Sequence, residues 1–268
     1  MRLRRRSRDG ETVAGYTFQD EFDGPAGAPP DPARWAYDLG GGGWGNNELQ
    51  VYTDARANVF QDGRSHLVIR ATRELAPGRG AAPPGRTYRS ARITTRGRFA
   101  QLGGSFEARI KVTSQRGLWP ACWLMGQDIG TAGWPHCGEV DLLEDFGYST
   151  VQSSVHVPAG GDAVHTAYGD LPGDGRWHVY RLDWTPGGMS FSRDGERYLT
   201  VHDDFCPPGS WVYGPHPPHN GGMFLLLNLA VGGNVGAPAD DAQFPADLMV
   251  DYVRARPPDP GQWVKRFR

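Results

Sequence analysis

Three carboxylates lie close together in an apolar stretch of the sequence. Glu139, Asp141 and Glu144 fall within the run GEVDLLEDFG, whose remaining residues are mostly those of a buried strand. Mutual repulsion and the loss of hydration both oppose such a cluster. The carboxylates therefore require either a solvating groove or a chemical use.

The spacing of the three carboxylates constrains the strand that carries them. Side chains alternate between the faces of a strand, so Glu139 and Asp141 share a face while Glu144 points the other way. One extra residue in a β-bulge at Leu142 or Leu143 restores the parity and places all three on one surface. Glu139 and Glu144 still lie roughly 13 Å apart along the strand, so the sheet must be concave for their side chains to converge.

Two convergent carboxyl groups have a defined use in glycoside hydrolysis. At a separation of about 5 to 5.5 Å, one attacks the anomeric carbon and the other protonates the leaving oxygen, with retention of configuration. A curved sheet with a groove for a sugar chain would hold both groups in place. The alternative, a solvated acidic face on a strand, fits poorly with the apolar flanks.

Composition limits the class of protein. The chain has 268 residues, a formal net charge of −2 and 22% charged residues, which does not fit a nucleic-acid-binding protein. The 9 Trp and 38 Gly suit short strands, tight turns and a surface that meets flat apolar faces. Cys122, Cys137 and Cys206 match no metal spacing and make no disulfide framework. No stretch is as long and apolar as a membrane span, so we expect no membrane partner.

Short β-type runs separated by turn residues recur along the chain, and long amphipathic helical periodicity is missing. This pattern predicts an all-β fold, an antiparallel β-sandwich. Three Pro- and Gly-rich stretches exceed the length of hairpin turns, and we expect them to form loops that wall a cleft. They are residues 74–88, 157–175 and 206–222.

The two ends of the chain differ in composition from the rest. Residues 1–15 are basic and resemble the first part of a secretion signal, without the apolar part that must follow. Residues 257–268 read as a second tail. A single domain is therefore predicted at 16–256.

A series of motifs follows in a fixed order from about Tyr16 to Arg256. Besides EVDLLE, they include DEFDG, GWGNNELQVYT, GLWPACWLMG, WHVYRLDWTP and FLLLNLAVGGN. In this order they resemble glycoside hydrolase family 16, specifically its laminarinase-like endo-β-1,3-glucanases. The family's catalytic pattern of Glu, apolar, Asp, two apolar residues and Glu matches EVDLLE, whereas the lichenases of the same family lack the extra bulge residue.

The resemblance implies a β-jelly roll of two curved sheets, with the substrate cleft on the concave face. It assigns Glu139 as nucleophile, Glu144 as general acid and later base, and Asp141 as an electrostatic and hydrogen-bonding assistant between them. His156 matches a histidine that lies beside the acid/base in the family. The nucleophile must stay ionised, while Asp141 and the charge on Glu139 would raise the affinity of Glu144 for its proton.

Five further residues match sugar-binding positions. Indole rings stack on the apolar faces of pyranose rings, and Trp119, Trp134 and Trp123 are the candidates. Asn46 and Arg92 resemble the family's polar subsite contacts. The alternative interpretations are a tryptophan in the core, an asparagine that caps a turn and an arginine in an ordinary ion pair.

The resemblance also implies a structural calcium ion on the convex face. In the family the ion is held by backbone oxygens and by an aspartate near the last strand. Glu21, Gly63 and Asp251 occupy the matching places, and oxygen ligands suit calcium. Catalysis itself requires no cofactor. An ordinary turn or ladder residue is the alternative interpretation of Asp251.

The expected function is endo-acting, retaining hydrolysis of β-1,3-glucan by a secreted monomer whose partner is a polysaccharide. One alternative is a hydrolase or transglycosylase that acts on another β-linked polysaccharide, such as mixed-linkage glucan or galactan. Another is a non-catalytic glucan-binding protein. Relatives that serve only in recognition lose the catalytic glutamates, and both Glu139 and Glu144 are present in this sequence.

Overall fold

Strands dominate the part of the chain that the structure describes. The structure is a computed structural model. It describes residues 15–76, 85–161, 163–205, 222–239 and 241–260. Most of the two predicted tails, Cys206 and nearly all of the predicted loop 206–222 lie outside the described residues, so those expectations stay predictions.

Within the described residues, the larger sheet contains ten strands. They are β1 (Phe18–Asp20), β3 (Gln50–Tyr52), β4 (Val59–Gln61), β5 (Leu67–Ala76), β6 (Gly85–Ser90), β8 (Gly104–Val112), β13 (His178–Thr185), β14 (Gly188–Arg193), β15 (Glu196–His202) and β17 (Ala246–Arg256). Their spatial order is β15-β14-β13-β8-β17-β5-β6-β3, with β1 paired to β17 and β4 paired to β5. The β3–β6 pair is parallel, whereas the antiparallel pattern that the sequence predicts holds for the other pairs of this sheet.

The second sheet, as far as the chain is described, contains seven strands and carries the acidic motif. They are β2 (Ala36–Tyr37), β7 (Arg92–Thr94), β9 (Leu118–Gly126), β10 (Glu139–Asp145), β11 (Thr150–Pro158), β12 (Val164–Pro172) and β16 (Met223–Val231). Their spatial order is β12-β11-β10-β9-β16-β7-β2. Short helical turns lie at Ile129–Ala132, Asp203–Phe205 and Gly233–Val235. Among the described residues, no helix has the length and apolar character needed to cross a membrane.

The two sheets enclose one apolar core because each turns alternate side chains inward. Phe106 and Trp184 of the larger sheet and Leu143 and Leu227 of the smaller one are all within 1% of full burial. At ~25 cal/mol per Å² of apolar surface, such side chains are the main source of stability. This is the β-jelly roll that was predicted, with two curved sheets.

Three expectations about individual segments were wrong. Both ends of the predicted loop 74–88 belong to the β5–β6 pair, while its middle, residues 77–84, lies outside the described residues. The stretch 157–175 was predicted as a loop, but most of it forms the end of β11 and the whole of β12, which pairs with β11 over nine residues. The run 189–201 was predicted as one strand, but Asp194 and Gly195 have φ angles of 53° and 85° and turn it into the β14–β15 hairpin. Positive φ at both central residues is the geometry of a tight hairpin turn.

Candidate active site

The acidic motif forms β10, and the strand contains the predicted β-bulge. The register shifts between Asp141 and Leu143 against β9, and between Asp141 and Glu144 against β11. Leu142 and Leu143 are therefore both buried in the core, while the three carboxylates lie on the opposite side. We call that side of the seven-stranded sheet the cleft face.

The cleft face is organised in rows that cross the strands, since directly paired residues of antiparallel strands share a face. Three rows run from β10 through β11 to β12. They are Glu139, His156 and Thr166; Asp141, Ser154 and Tyr168; and Glu144, Gln152 and Asp170. Each carboxylate thus has a polar neighbour on β11 and a further residue on the edge strand β12.

Asp141 is buried and is held by its neighbours on β11. Ser154 Oγ donates a hydrogen bond to Asp141 Oδ2, and His156 Nε2 lies 3.1 Å from the same oxygen. The other ring nitrogen, His156 Nδ1, lies 2.9 Å from Thr166 Oγ1, which fixes the ring between two strands. One ligand atom from each of Glu139, Asp141 and His156 lies within 4.8 Å of the others. The structure therefore brings these three predicted residues together. It places His156 beside Glu139, however, and not beside the acid/base as expected, because the register pairs the acid/base with another residue of β11.

The histidine is more basic than usual in this position. Burial alone would lower the pKa of His156, but the hydrogen bond and the charge of Asp141, with the charge of Glu139, raise it overall. A positively charged His156 would in turn favour the ionised form of Glu139 beside it.

Two of the predicted tryptophans bind the glutamates directly. Trp134 Nε1 donates a hydrogen bond of 2.5 Å to Glu139 Oε2, and Trp119 Nε1 donates one of 2.9 Å to Glu144 Oε1. Sequence reasoning expected only sugar stacking from these rings and missed the hydrogen bonds. Trp134 is 48% exposed, so its ring can also meet a sugar.

Both predicted catalytic glutamates hold their protons more tightly than an ordinary carboxyl group. Burial and the charge of Asp141 raise the pKa of Glu139 to about 7, against the opposing effects of His156, Trp134 and the arginine of β7. Burial and the charges of Asp141 and Glu139 raise the pKa of Glu144 well above its ordinary value. The charge of Glu139 therefore favours the protonated form of Glu144, which a general acid requires.

The row of Glu144 continues in the other direction through β9 and β16 to Arg92 on β7. The guanidinium of Arg92 lies 4.8 Å from the ring centre of Trp123 and 4.9 Å from that of Trp44. Arg92 also pairs with Asp38 at 2.9 Å. Arg92 and Trp123 thus lie on the cleft face, and Trp44 is a candidate that sequence reasoning missed although the GWGNNE motif contains it.

Asn46 lies in the loop that joins β2 to β3. Its Nδ2 donates to Glu48 Oε1 at 3.3 Å, and its Oδ1 accepts from Asn234 Nδ2 at 3.4 Å. These contacts link the loop to the helical turn that follows β16. A sugar contact of Asn46 stays a prediction.

The residues predicted to hold calcium have other partners. Arg254 donates to both carboxylate oxygens of Glu21, at 2.8 and 2.9 Å, and Arg109 Nη1 lies 2.5 Å from Asp251 Oδ2. Arg109 thus already balances the carboxylate of Asp251, which fits poorly with its predicted use as the side-chain ligand, whereas the ion pair of Glu21 does not involve its backbone oxygen. Backbone oxygens, such as that of Gly63, are the groups left for an ion. Calcium binding stays a prediction, and an ion held by backbone oxygens alone should add little to stability.

The two described cysteines take no part in this site or in a disulfide. Cys122 and Cys137 are both buried and unpaired. Burial raises the pKa of each thiol to about 12, so neither is a reactive thiolate.

Comparison with known proteins agrees with the fold and the motif. The profile of the Glycosyl hydrolases family 16 matches residues 46–237. A beta-glucanase of Rhodothermus marinus is 38% identical over 255 residues, which cover 88% of this chain and 83% of that protein. A glucan endo-1,3-beta-glucosidase of Cryptopygus antarcticus is 40% identical over 240 residues, or 84% of each protein.

Solved structures give the same assignment. The X-ray structure of the laminarinase from Rhodothermus marinus superimposes with a TM-score of 0.76 at 36% identity, over 91% of this chain and 97% of that one. The profile match and the two sequence relatives both span most of the chain. The protein therefore belongs to glycosyl hydrolase family 16.

Proposed function

We propose that the protein is an endo-acting, retaining glycosidase that hydrolyses β-1,3-glucan. The observation that carries the proposal is the bulged strand β10, which presents Glu139, Asp141 and Glu144 together on the cleft face. The relatives named as a beta-glucanase, a glucan endo-1,3-beta-glucosidase and a laminarinase support β-1,3-glucan as the substrate.

Each group has a distinct task in this reaction. The carboxylate of Glu139 attacks the anomeric carbon while Glu144 gives its proton to the oxygen of the leaving sugar. Glu144, now ionised, then takes a proton from water, and that water releases the sugar from Glu139. Asp141 and His156 remain in place and stabilise the changing charge on Glu139 between these steps.

The cleft face suits cleavage within a long chain. Aromatic and polar side chains lie on both sides of β10, with Arg92 and Trp123 on one side and β12 on the other. A polysaccharide can therefore occupy sites on both sides of the cleaved bond. We further infer that the protein acts as a monomer outside the cell, where such polymers occur.

The test is hydrolysis of laminarin, curdlan, lichenan and agarose, with the products resolved by length and the first products observed by NMR. We expect laminarin and curdlan to be cut to mixed oligosaccharides that appear first as β-anomers. Preference for agarose or lichenan would reassign the substrate. Early α-anomers would exclude the double displacement, and binding without any cleavage would leave a glucan-binding protein.

A further inference from the structure

The edge strand β12 presents a second set of side chains to the cleft face. Thr166, Tyr168 and Asp170 alternate with the inward-facing residues of the strand and end the three rows that start at the carboxylates. Two of them already have partners on β11, because Thr166 bonds to His156 at 2.9 Å and Asp170 accepts from Gln152 at 2.9 Å. Tyr168 lies between them, in the row of Asp141.

Tyr168 is a large aromatic side chain in an open position. It is 59% exposed, more than Trp134 beside the nucleophile. Two strand spacings separate it from Asp141, which is about 10 Å. A sugar chain that crosses the strands over β10 therefore reaches the ring of Tyr168 within a few residues.

The strand beneath Tyr168 is held on its inner side. His165 stacks on Phe205 with ring centres 4.4 Å apart, and Ala167 packs against the core. A Cβ on Gly169 would meet Leu199 at 3.0 Å, so the backbone lies close to β15 at this point. A platform fixed in this way binds a ligand without much loss of its own freedom.

We propose that Tyr168 is a sugar-binding platform that extends the cleft across β11 to the β12 edge. This inference rests on the proposed function, because the ligand it names is the same β-linked glucan chain. The ring takes the apolar face of a glucosyl residue away from the cleavage point and takes no part in the chemistry. It increases the affinity for chains long enough to reach it.

The test compares the intact protein with Tyr168→Ala and Tyr168→Phe on β-1,3-linked glucose oligomers of increasing length. We expect Tyr168→Ala to match the wild type on short oligomers and to lose roughly three- to tenfold in kcat/KM once the chain reaches β12. Tyr168→Phe keeps the ring and should keep the length dependence. Tyr148→Ala is the matched control, since Tyr148 is 61% exposed but lies outside the three rows.

Several outcomes would overturn the inference while leaving the proposed function intact. The wild-type length dependence in Tyr168→Ala would show that the ring binds no sugar. An equal loss at every length would indicate a structural effect through Thr166 and His156, and an equal loss in Tyr148→Ala would indicate a general effect of exposed aromatic rings. Failure of the wild type to cleave β-1,3-glucan would instead overturn the proposed function, and the inference with it.

Discussion

The two glutamates should fail in different ways when each is replaced. Glu144→Ala removes the proton donor but leaves the nucleophile, so an aryl glycoside with a good leaving group should still form the glycosyl-enzyme. Azide needs no general base and should release that intermediate as a β-glycosyl azide. Glu139→Ala has no nucleophile, so any azide product should be the α-anomer, formed by one direct displacement. NMR of the azide products checks both expectations.

Reversed azide configurations would exchange the roles of Glu139 and Glu144. The control is the wild type with the same glycoside and azide, which should give mainly the hydrolysed sugar. The bulged motif and the family would stand in either case, because neither depends on which glutamate attacks.

The raised pKa of Glu139 also makes a prediction about stability. Its pKa is about 7 in the folded state against an ordinary value of 4.5. Below pH 4.5 Glu139 is protonated in both the folded and the unfolded protein, so it does not change the free energy of unfolding. Between pH 4.5 and 7 the unfolded chain releases this proton while the folded protein keeps it, so the free energy of unfolding falls as the pH rises. Glu139→Gln should therefore raise the free energy of unfolding above pH 7, on the order of 1 to 3 kcal/mol, and change it little at pH 4.

Urea unfolding of the wild type and of Glu139→Gln at pH 4 and pH 8 measures the free energy of unfolding. A variant that is stabilised equally at pH 4 and pH 8 would mean that packing, and not ionisation, is responsible. Glu21→Gln serves as a control of opposite sign, because its carboxylate is paired with Arg254 and its loss should destabilise the protein.

At the scale of the element, the bulge in β10 should affect the positions of the catalytic carboxylates more than it affects folding. Deleting Leu143 leaves the sequence EVDLE, in which regular alternation still puts all three carboxylates on the cleft face. The deletion straightens the strand, however, and a bulge sets the local bend and twist. We expect it to fold but to lose at least about tenfold in kcat/KM, as expected when reacting groups are misplaced.

Leu143→Ala is the matched control for this deletion. It removes a similar buried side chain at a cost of about 2 to 5 kcal/mol but keeps the bulge. Activity measured well below both melting temperatures should survive in Leu143→Ala and fall in the deletion. If both variants keep full activity, the bulge is not needed to position the carboxylate of Glu144.

The sequence was informative where parity or motif order constrained the chain. Glu139, Asp141 and Glu144 required a bulge at Leu142 or Leu143, and the structure confirms it. The strand β12 was missed because its Gly and Pro content resembles a loop, and its strand character comes from pairing with β11.

Side-chain contacts between different strands also could not be predicted from the sequence. Trp119 and Glu144 are 25 residues apart, and only the pairing of β9 with β10 brings the indole to the carboxylate. Trp44 was overlooked because its sequence position shows nothing of its contact with Arg92, which depends on how a loop folds over β7. Long-range partners of this kind depend on register, which local spacing does not determine.

At the scale of the whole molecule, the arginine pairs on the larger sheet predict how the protein responds to calcium. Arg109 already balances Asp251, the predicted side-chain ligand, so we expect EDTA and added calcium to leave the melting temperature nearly unchanged. An ion at 1,000 times its Kd would instead contribute about 4 kcal/mol. Thermal unfolding in 1 mM EDTA and in 1 mM calcium chloride makes the comparison.

A clear rise in melting temperature with calcium would contradict this expectation and return Glu21, Gly63 and Asp251 to an ion site. Magnesium at the same concentration is the control, because it fits irregular oxygen sites poorly. A rise with both ions would indicate general screening of charge.

The two buried thiols also allow the rate at which the protein unfolds to be measured. Cys122 lies on β9 and Cys137 just before β10, and both are at most 4% exposed. A chromogenic disulfide reagent reaches them only when the sandwich opens, so after Cys206→Ser the colour should appear at the rate of that opening. Bound oligosaccharide should then slow the reaction, which would measure how firmly a substrate holds the two sheets together.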